Sequence, residues 1–474
     1  MSLARLRFGE PEPDDTLASS SNSIRAWGIR SAVSLVDQGL TSGTSFVINI
    51  LLACWLPADQ YGAFAVAFAA YLFLALFHNA LVLEPSIVIG PAQHSHELAA
   101  YFRVQIRLHA LLVWPLTGVA LTAGLLLSWI APHSPLIGAL IGGGLALPLL
   151  LLLWLARRMC YVLHKPALAG KGSSVYLAIS IGTVIGLRMA GRLTPSTAFF
   201  SLGLGSLAGA CLILRRTALS TSAKRDNSLL SWRAILSENW RYGRWLVGSA
   251  VFYAVSTSVQ TFLAAAILGL GSAGALRAMQ IPSLMMTQII ASFGLLMLPS
   301  LAFDFGSGQI AKLQEKARWI SLGLGFLALI FAGVFALVDV PLERLLFHGR
   351  YAAFAQIIPL LALIPAANSL CAGFSLALRA CQMPHCDLIA NALGAVVSLV
   401  SAVILIPMWG VFGAAGSMVL SVVAMSAVTF ILYLHSRKRR SAAAVLRADD
   451  AAQERIDLSR TARHSPQNTV QDYV

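Results

Sequence analysis

The sequence places acidic residues inside or against stretches that are otherwise apolar. Asp37 lies within the apolar run 32–55, and Glu84 follows the run 62–83 immediately before Pro85. A carboxylate at membrane depth requires a cation, a water-filled cavity or a bound proton. Asp37 and Glu84 are therefore candidate residues for binding a coupling ion or a proton. For Asp37 two other interpretations stay open: an ion pair with an arginine from the facing half of the protein, or solvation at the interfacial end of a helix.

The sequence lacks the common signatures of catalysis and of metal binding. It contains no Gly-Lys-Ser or Gly-Lys-Thr phosphate loop and no His-Glu-x-x-His helix. The run His94-Ser95-His96-Glu97 is typical of a polar loop, and the six cysteines show no metal-finger spacing. We therefore expect a protein that is not an enzyme and that uses no cofactor and no metal.

The composition is that of a membrane protein. Of the 474 residues, 57% are hydrophobic and only 11% are charged, whereas soluble domains carry about 25% charged residues. The net charge of +14 is better explained by basic loops that face anionic membrane lipids than by nucleic-acid binding. The first thirty residues lack the apolar core of a removable signal peptide.

Twelve apolar runs are long enough to cross a bilayer, which takes about 20 residues each. We therefore predict an all-α polytopic membrane protein with about twelve transmembrane helices. The predicted spans are 32–55, 62–83, 104–130, 136–155, 167–187, 196–214, 246–270, 281–303, 319–340, 357–378, 388–408 and 411–434.

The distribution of basic residues predicts the orientation of these spans. If both termini are cytoplasmic, 29 of the 34 Lys and Arg residues lie in cytoplasmic segments. The five on the outer side are Arg188, Arg192, Arg277, Arg344 and Arg350. Because basic loops remain on the cytoplasmic side during insertion, this asymmetry supports an even number of spans and cytoplasmic termini.

A basic, polar segment divides the apolar chain into two halves. Its second part, 229–245, spaces Trp and Leu residues as in a helix that lies in the headgroup layer. The tail is basic at its start and then polar and Ala-rich, which predicts disorder. The predicted domains are a cytoplasmic segment 1–30, a six-helix lobe 31–214, a basic linker with an interfacial helix 215–244, a second six-helix lobe 245–435 and a cytoplasmic tail 436–474.

The two halves also resemble each other in sequence. Residues 56–69 align with residues 268–281, so that Gly62 corresponds to Gly274, and two further short matches follow in the same order. Halves of six spans each insert the same way up, so a pseudo-two-fold axis along the membrane normal would relate the two lobes. A seam between such lobes that opens alternately to either side would favour a transporter over an enzyme.

Several of these runs resemble a known family. Residues 38–71 (QGLTSGTSFVINILLACWLPADQYGAFAVAFAAY) resemble the first two spans of bacterial polysaccharide-export flippases, with a Leu-Pro break followed by a Gly-hydrophobic restart. Residues 379–407 and the run IPMWGVFGAAGSMVLS at 406–421 resemble the family's last spans. That family belongs to the multidrug/oligosaccharidyl-lipid/polysaccharide exporter superfamily, and the resemblance covers about residues 38–434.

The resemblance implies two six-helix lobes around a central cavity, in the inner membrane of a bacterium. It implies a substrate of oligosaccharide repeat units linked to undecaprenyl pyrophosphate, flipped outward for surface polysaccharide or exopolysaccharide export. A polysaccharide polymerase or export machinery would be a partner. A cation-coupled drug or metabolite antiporter of the same superfamily is the alternative. A membrane enzyme of glycan assembly is less expected, because the outer loops are short.

A substrate of this kind carries a diphosphate, for which arginine is the better ligand because its planar fork holds two oxygens. Arg277 is the sharpest candidate, since it stands on the outer side in an apolar context. Amides could hydrogen-bond sugar hydroxyls, although in membranes they often join helices, and arginines at span ends often anchor to headgroups. The candidate cavity residues are Arg277, Arg379, Arg30, Arg103, Arg107, Asn49 and Gln280.

Overall fold

The chain folds almost entirely into long helices. A computed structural model describes residues 16–220, 231–381 and 383–463, with side chains left undescribed mainly in 16–35, 218–220 and 438–463. A π-helical turn, Asn79–Leu83, joins the second and third helices. The helices are α1 (Thr16–Trp55), α2 (Ala58–His78), α3 (Glu84–Gln93), α4 (Leu98–Ile130), α5 (Pro135–Val162), α6 (Pro166–Met189), α7 (Pro195–Ser220), α8 (Trp232–Leu268), α9 (Leu270–Gly306), α10 (Ile310–Phe347), α11 (Ile357–Ala380) and α12 (Pro384–Arg463).

Each predicted span lies wholly or mostly in one of these helices, and α12 holds two of them. The span 62–83 continues from α2 through the π-helical turn, and the span 246–270 extends past the end of α8. α12 reverses direction at Gly410, whose φ of 58° and ψ of −132° are not helical. A Cβ atom on Gly413 would lie 1.9 Å from the carbonyl oxygen of Leu405, so the segments before and after the turn lie side by side. Within the described residues, nine helical stretches are long and apolar enough to cross a membrane. The 53-residue stretch of α12, which holds two predicted spans, is one of these nine.

Local sequence signals explain where several helices begin. Pro135, Pro166 and Pro195 each stand at the first position of a helix, where proline loses no hydrogen bond and its fixed φ suits the helix. Ser134 precedes α5, and its hydroxyl oxygen accepts the backbone N–H of Leu136, as N-cap residues do. These signals set the short turns that keep neighbouring helices antiparallel.

The helices form two lobes, as predicted. α1, α2 and α4–α7 pack into the first lobe, and α8–α12 pack mainly into the second. The largest side chains of the first core, among them Tyr61, Phe64 and Phe199, are fully buried. α2 and α9 cross where the lobes meet. This crossing positions the site described below.

Glycine makes that crossing possible. A Cβ atom on Gly62 would lie 1.8 Å from the carbonyl oxygen of Leu270, and one on Gly274 would lie 2.9 Å from that of Ala58. Gly62 and Gly274 are the positions that the internal repeat pairs. Residues that are equivalent under a two-fold operation contact each other only near the axis. The contact therefore lies where the predicted pseudo-symmetry axis would pass, towards the predicted outer side.

Three segments differ from the sequence-based expectation. The linker does not end at residue 244, because α8 begins at Trp232 and continues without a break to Leu268; residues 221–230 lie outside the described part. The tail is helical as far as Arg463, which reflects its alanine content, since alanine has the highest helix propensity. α1 likewise begins at Thr16, inside the expected N-terminal segment.

Candidate functional site

Asp37 lies at the centre of a polar cluster inside the first lobe. Its side chain is fully buried. The guanidinium of Arg157 on α5 donates to Asp37 Oδ2 through Nη2 at 2.7 Å and Nε at 3.2 Å. The Tyr161 hydroxyl donates to the same oxygen, and the Ser173 hydroxyl on α6 donates to Oδ1. Both carboxylate oxygens are thus occupied and the charge is neutralised.

One interpretation left open for Asp37 was an ion pair with an arginine from the facing half of the protein, and that interpretation is wrong. Arg157 belongs to the same lobe, so this ion pair ties α1 to α5 and does not cross the seam. Removing either partner of such a buried pair would leave an isolated charge in a low-dielectric interior. This geometry gives the cluster a role in holding the first lobe together.

Arg277 presents the opposite situation at the seam between the lobes. It lies on α9, and its guanidinium carbon stands 5.6 Å from the ring centre of Phe68 on α2. Its Nη1 donates to the side-chain oxygen of Gln280 at 3.3 Å. Gln280 in turn donates to the sulfur of Met418 at 3.1 Å. An aromatic face and an amide oxygen are therefore the partners of this cation.

The charge of Arg277 is not neutralised by a carboxylate. Among the described residues, no Asp or Glu oxygen lies within ion-pair distance of it. Its buried Nε has no hydrogen-bond partner there, and neither has the buried hydroxyl of Tyr61. A half-buried cation whose Nε is buried and has no partner among the described residues is suited to binding an anion.

The other arginines predicted for the cavity lie elsewhere. Arg379 donates to Asp387 at 2.7 Å, and more than half of its side chain is exposed. Arg103 and Arg107 are exposed on α4, where Arg103 donates to the carbonyl of Ala99 in its own helix. The side chain of Arg30 lies outside the described residues. Of the predicted cavity residues whose side chains are described, Arg277 and Gln280 are the two that contact each other.

Glu84 and Asn49 form no cluster with Arg277. Glu84 is half-buried at the start of α3, close enough to Arg158 on α5 to act on it electrostatically. Asn49 is buried on α1, donates to the Ser45 carbonyl of its own helix, and leaves its side-chain oxygen without a partner. The candidate ion-binding acids Asp37 and Glu84 thus face different neighbours within the first lobe.

Contacts between the lobes close the seam at the predicted outer side. Arg350 follows α10, and its Nη1 reaches the carbonyl oxygens of Ala53 and Cys54 at 3.1 and 2.9 Å, and that of Leu56. The Cys54 thiol donates to the Leu346 carbonyl at 3.0 Å. A cation at the last turn of a helix binds its free carbonyls and opposes its dipole. The C-terminus of α1 is therefore held by the other lobe.

Sequence reasoning missed several residues of these clusters. Arg157 reads as one of four basic residues of a cytoplasmic loop, and Tyr161 and Ser173 carry no motif. Phe68 has the sequence context of any apolar residue in the second predicted span, and Tyr61 directly precedes that span. A signal was available only for Arg350, which is one of five outer basic residues.

Comparison with solved structures identifies the fold. The chain superposes on an inward-facing multidrug resistance MATE family transporter of the MOP superfamily with a TM-score of 0.69 and 14% identity, covering 87% of this chain and 98% of that one. The lipid II flippase MurJ, in an inward closed conformation, gives a TM-score of 0.64 and 11% identity over 85% and 87% of the two chains. An outward-facing MATE family transporter gives 0.59 and 14% over 87% and 95%.

These identities are low, so the likeness is one of fold. The two-lobed helical fold of this chain is that of the MOP superfamily structures, as the sequence resemblance implied. No protein-family model matches the sequence, and the curated proteins contain no significant match.

Proposed function

We propose that this protein is a flippase that moves an anionic, lipid-linked oligosaccharide across a bacterial inner membrane by alternating access. The substrate class is an oligosaccharide repeat unit on undecaprenyl pyrophosphate, destined for surface polysaccharide or exopolysaccharide. The observation that carries the proposal is Arg277, a cation at the seam between the lobes that lacks a carboxylate partner among the described residues.

Charge complementarity supports an anionic substrate. A guanidinium presents its donors in a planar fork that matches phosphate oxygens. Nε of Arg277 and the hydroxyl of Tyr61 are buried and have no described partner, and a pyrophosphate oxygen would satisfy both. An unmade hydrogen bond of a buried group costs about 1–3 kcal/mol. A ligand that makes those bonds would therefore gain affinity at this position.

The closed outer seam supports loading from the cytoplasmic side. The Gly62–Gly274 crossing and the Arg350 contacts both lie at the predicted outer ends of the helices. The inward-facing relative also superposes with a higher TM-score than the outward-facing one, 0.69 against 0.59. A headgroup made on the cytoplasmic leaflet would enter this state, and opening of the outer seam would release it.

The lipid II flippase among the structural relatives supports the lipid-linked substrate, because the cargo of that relative is a lipid. The MATE relatives support the second candidate, a drug or metabolite antiporter. A cationic drug would need an acid at the seam. Of the two acids predicted to bind a coupling ion or a proton, Asp37 is neutralised by Arg157 inside one lobe, and Glu84 lies at the start of α3 in the same lobe. The described charge at the seam is that of Arg277, which is positive. We therefore favour the flippase.

The orientation proposed here places both termini in the cytoplasm. Membrane lipids would contact the exposed apolar faces, and a polymerase or export complex would receive the flipped unit at the outer leaflet. The structural relatives include transporters and a flippase. This likeness supports a role in transport over a role as an enzyme of glycan assembly.

Deletion of the gene tests the proposal. We expect loss of surface polymer together with accumulation of complete lipid-linked units on the cytoplasmic leaflet. Unchanged polymer with increased sensitivity to small toxic compounds would favour the antiporter. Unpolymerised or unmodified units on the outer leaflet would favour an enzyme.

Complementation with variants of Arg277 tests the site. Arg277→Ala should abolish export, and Arg277→Lys should restore part of it, because lysine keeps the charge without the planar fork. Arg379→Ala is the matched control, since that arginine is exposed and paired with Asp387. Equal export by the Arg277→Ala and Arg379→Ala proteins, at equal expression, would contradict the role of Arg277.

A further inference from the structure

A histidine pair lies buried between two membrane-spanning helices of the first lobe. Nε2 of His78, at the end of α2, lies 2.9 Å from Nδ1 of His109 on α4. The rings stand nearly perpendicular, at 84°. His78 is fully buried, and 6% of the surface of His109 is exposed. The transport site described above uses neither residue.

The pair leaves one ring nitrogen unsatisfied. In a hydrogen bond between two neutral imidazoles, one ring donates and the other accepts. Nδ1 of His78 is buried and has no partner among the described residues. If His78 donates through Nε2, its Nδ1 has a free lone pair that can accept a proton. If His109 donates instead, the N–H at Nδ1 of His78 lacks an acceptor. Either arrangement leaves a place for a change in protonation.

The groups around the pair do not compensate a positive charge. The charged side chains on the neighbouring helices are Glu84 on α3, Arg103 and Arg107 on α4, Arg157 and Arg158 on α5, and Arg233, Glu238, Arg241 and Arg244 on α8. Among the described residues, no ion pair joins either imidazole to a carboxylate. A buried cation without a counter-charge costs several kcal/mol. The closed pair is therefore neutral.

The pair also lies where the first lobe meets α8. The π-helical turn Asn79–Leu83 begins directly after His78, and π-helical turns are frequent at functional sites. Within this turn, the carbonyl oxygen of Ala80 would lie 2.5 Å from a Cβ atom on Gly243 of α8. Backbone of α8 thus rests directly on the turn that follows His78. Separation of α8 from the first lobe would bring water towards the pair.

We propose that His78 and His109 form a proton-binding site whose occupation favours separation of the cytoplasmic half of α8 from the first lobe. A proton that binds only the hydrated state shifts the population towards that state. The pair takes up a single proton, because two cations 2.9 Å apart repel strongly in a low-dielectric site. The use of this proton to drive transport rests on the proposed function; the proton-linked opening does not.

Distance measurements by electron spin resonance test the proposal without a substrate. Labels are placed on Ser95→Cys and Ser237→Cys, two exposed positions on either side of the α8 contact, in a full-length protein without the native cysteines. We expect the longer-distance population to grow as the pH falls from about 7.5 to about 5.5. For a single proton, the ratio of the two populations changes by at most about tenfold per pH unit.

Variants assign the response. His78→Gln and His109→Gln keep a hydrogen-bonding side chain but do not titrate, so their distance distributions should not change with pH. His133→Gln, in the exposed turn before α5, is the control and should respond as the parent does. An unchanged parent distribution, or a response that persists in both Gln variants, would overturn the proposal.

A second titratable contact near the labels must be separated from the pair. Nε2 of His94 lies 3.1 Å from Glu238 on α8. Loss of the response in His94→Gln, with retention in His78→Gln, would assign it to that contact and overturn the proposal. If the Gln variants at positions 78 and 109 fail to fold, nitrogen NMR of histidine-labelled parent protein decides. Absence of a solvent-protected histidine that gains a proton over this pH range would then refute the site.

Discussion

The interior of the first lobe and the seam between the lobes treat a buried charge in opposite ways. Inside the lobe, Asp37 accepts hydrogen bonds from Arg157, Tyr161 and Ser173, and its charge is matched by one cation. At the seam, Arg277 has an aromatic ring and an amide as partners and retains an unsatisfied Nε. The charge in the first region is paired, whereas no described carboxylate pairs with the charge in the second.

This difference distinguishes a charge that holds helices together, that of Asp37, from a charge that is available to a ligand, that of Arg277. A lobe that moves as a rigid body has to satisfy its buried polar groups in every state of the cycle. A seam has to open, so groups that face it are satisfied by whatever enters. The comparison predicts that substitutions inside the lobe change stability most, and that substitutions at the seam change stability less and conformation or transport more.

The largest loss of stability is expected for Asp37→Ala. It would leave the guanidinium of Arg157 buried without a counter-charge, which lowers the free energy of unfolding by about 3–5 kcal/mol. Denaturant unfolding in detergent measures this change. Asp387→Ala breaks an exposed pair with Arg379 and should cost only about 0–1 kcal/mol. Similar losses in the two variants would show that the Asp37 cluster is not a structural core.

A smaller loss is expected for Gly62→Ala, which acts on the seam. The added methyl group would meet the Leu270 carbonyl at 1.8 Å, and forced overpacking costs about 1–3 kcal/mol. Displacement of α9 would expose the native thiol of Cys54, so a membrane-impermeant maleimide should label it faster. Gly182→Ala on α6 meets no atom within 4 Å and should label as the parent does. Unaltered labelling of Gly62→Ala would argue against a tight outer crossing.

The next smaller effect is expected for Arg350→Ala, which should lower the free energy of unfolding by about 1–2 kcal/mol. The hydrogen bonds of Arg350 to the end of α1 are charge-assisted but partly exposed. Cys54 labelling should again accelerate, since the second lobe no longer holds that helix end. Arg344→Ala provides the control, because Arg344 is exposed and lies in the last turn of α10, before the segment that carries Arg350. Equal labelling of the two variants would remove Arg350 from the outer closure.

The smallest effect on stability is expected for Arg277→Met. Arg277 is half-buried and has no described carboxylate partner, and replacement of such a charge by an apolar side chain of similar length is neutral or stabilising. The free energy of unfolding should therefore stay equal or rise, while export falls. Unfolding and export measured on the same preparations would reveal this split. A loss of stability as large as that of Asp37→Ala would show that Arg277 stabilises the fold as Asp37 does. It would contradict the proposed difference between the lobe interior and the seam.

Much of the fold was predictable because a bilayer allows few solutions. Backbone groups in lipid must be paired within the segment, so each long apolar run reads directly as a helix, including the two spans that α12 joins. The alignment paired Gly62 with Gly274 but predicted no contact between them; the structure brings them together where α2 crosses α9. The linker was harder, because the basic residues before Trp245 look the same in sequence whether they lie on a membrane surface or form the first turns of α8.

The candidate site was predictable only in part. Arg277 stood out because few basic residues lie on the outer side. Arg379, Arg103 and Arg107 also border apolar runs, yet Arg379 pairs with Asp387 and the other two are exposed. An arginine at the end of a span has the same local sequence whether it faces headgroups, a carboxylate or a seam. Hydropathy therefore could not distinguish these cases.

The amino-acid sequence alone determined the all-helical class, the two lobes and approximately the number of spans, because these follow from the length and spacing of the apolar runs along the chain. Tertiary structure alone decided which buried charges are matched. Asp37 and Arg157 are 120 positions apart, and His78 and His109 are 31 apart. Such pairs depend on which helix faces meet, and packing sets that choice after each helix has formed.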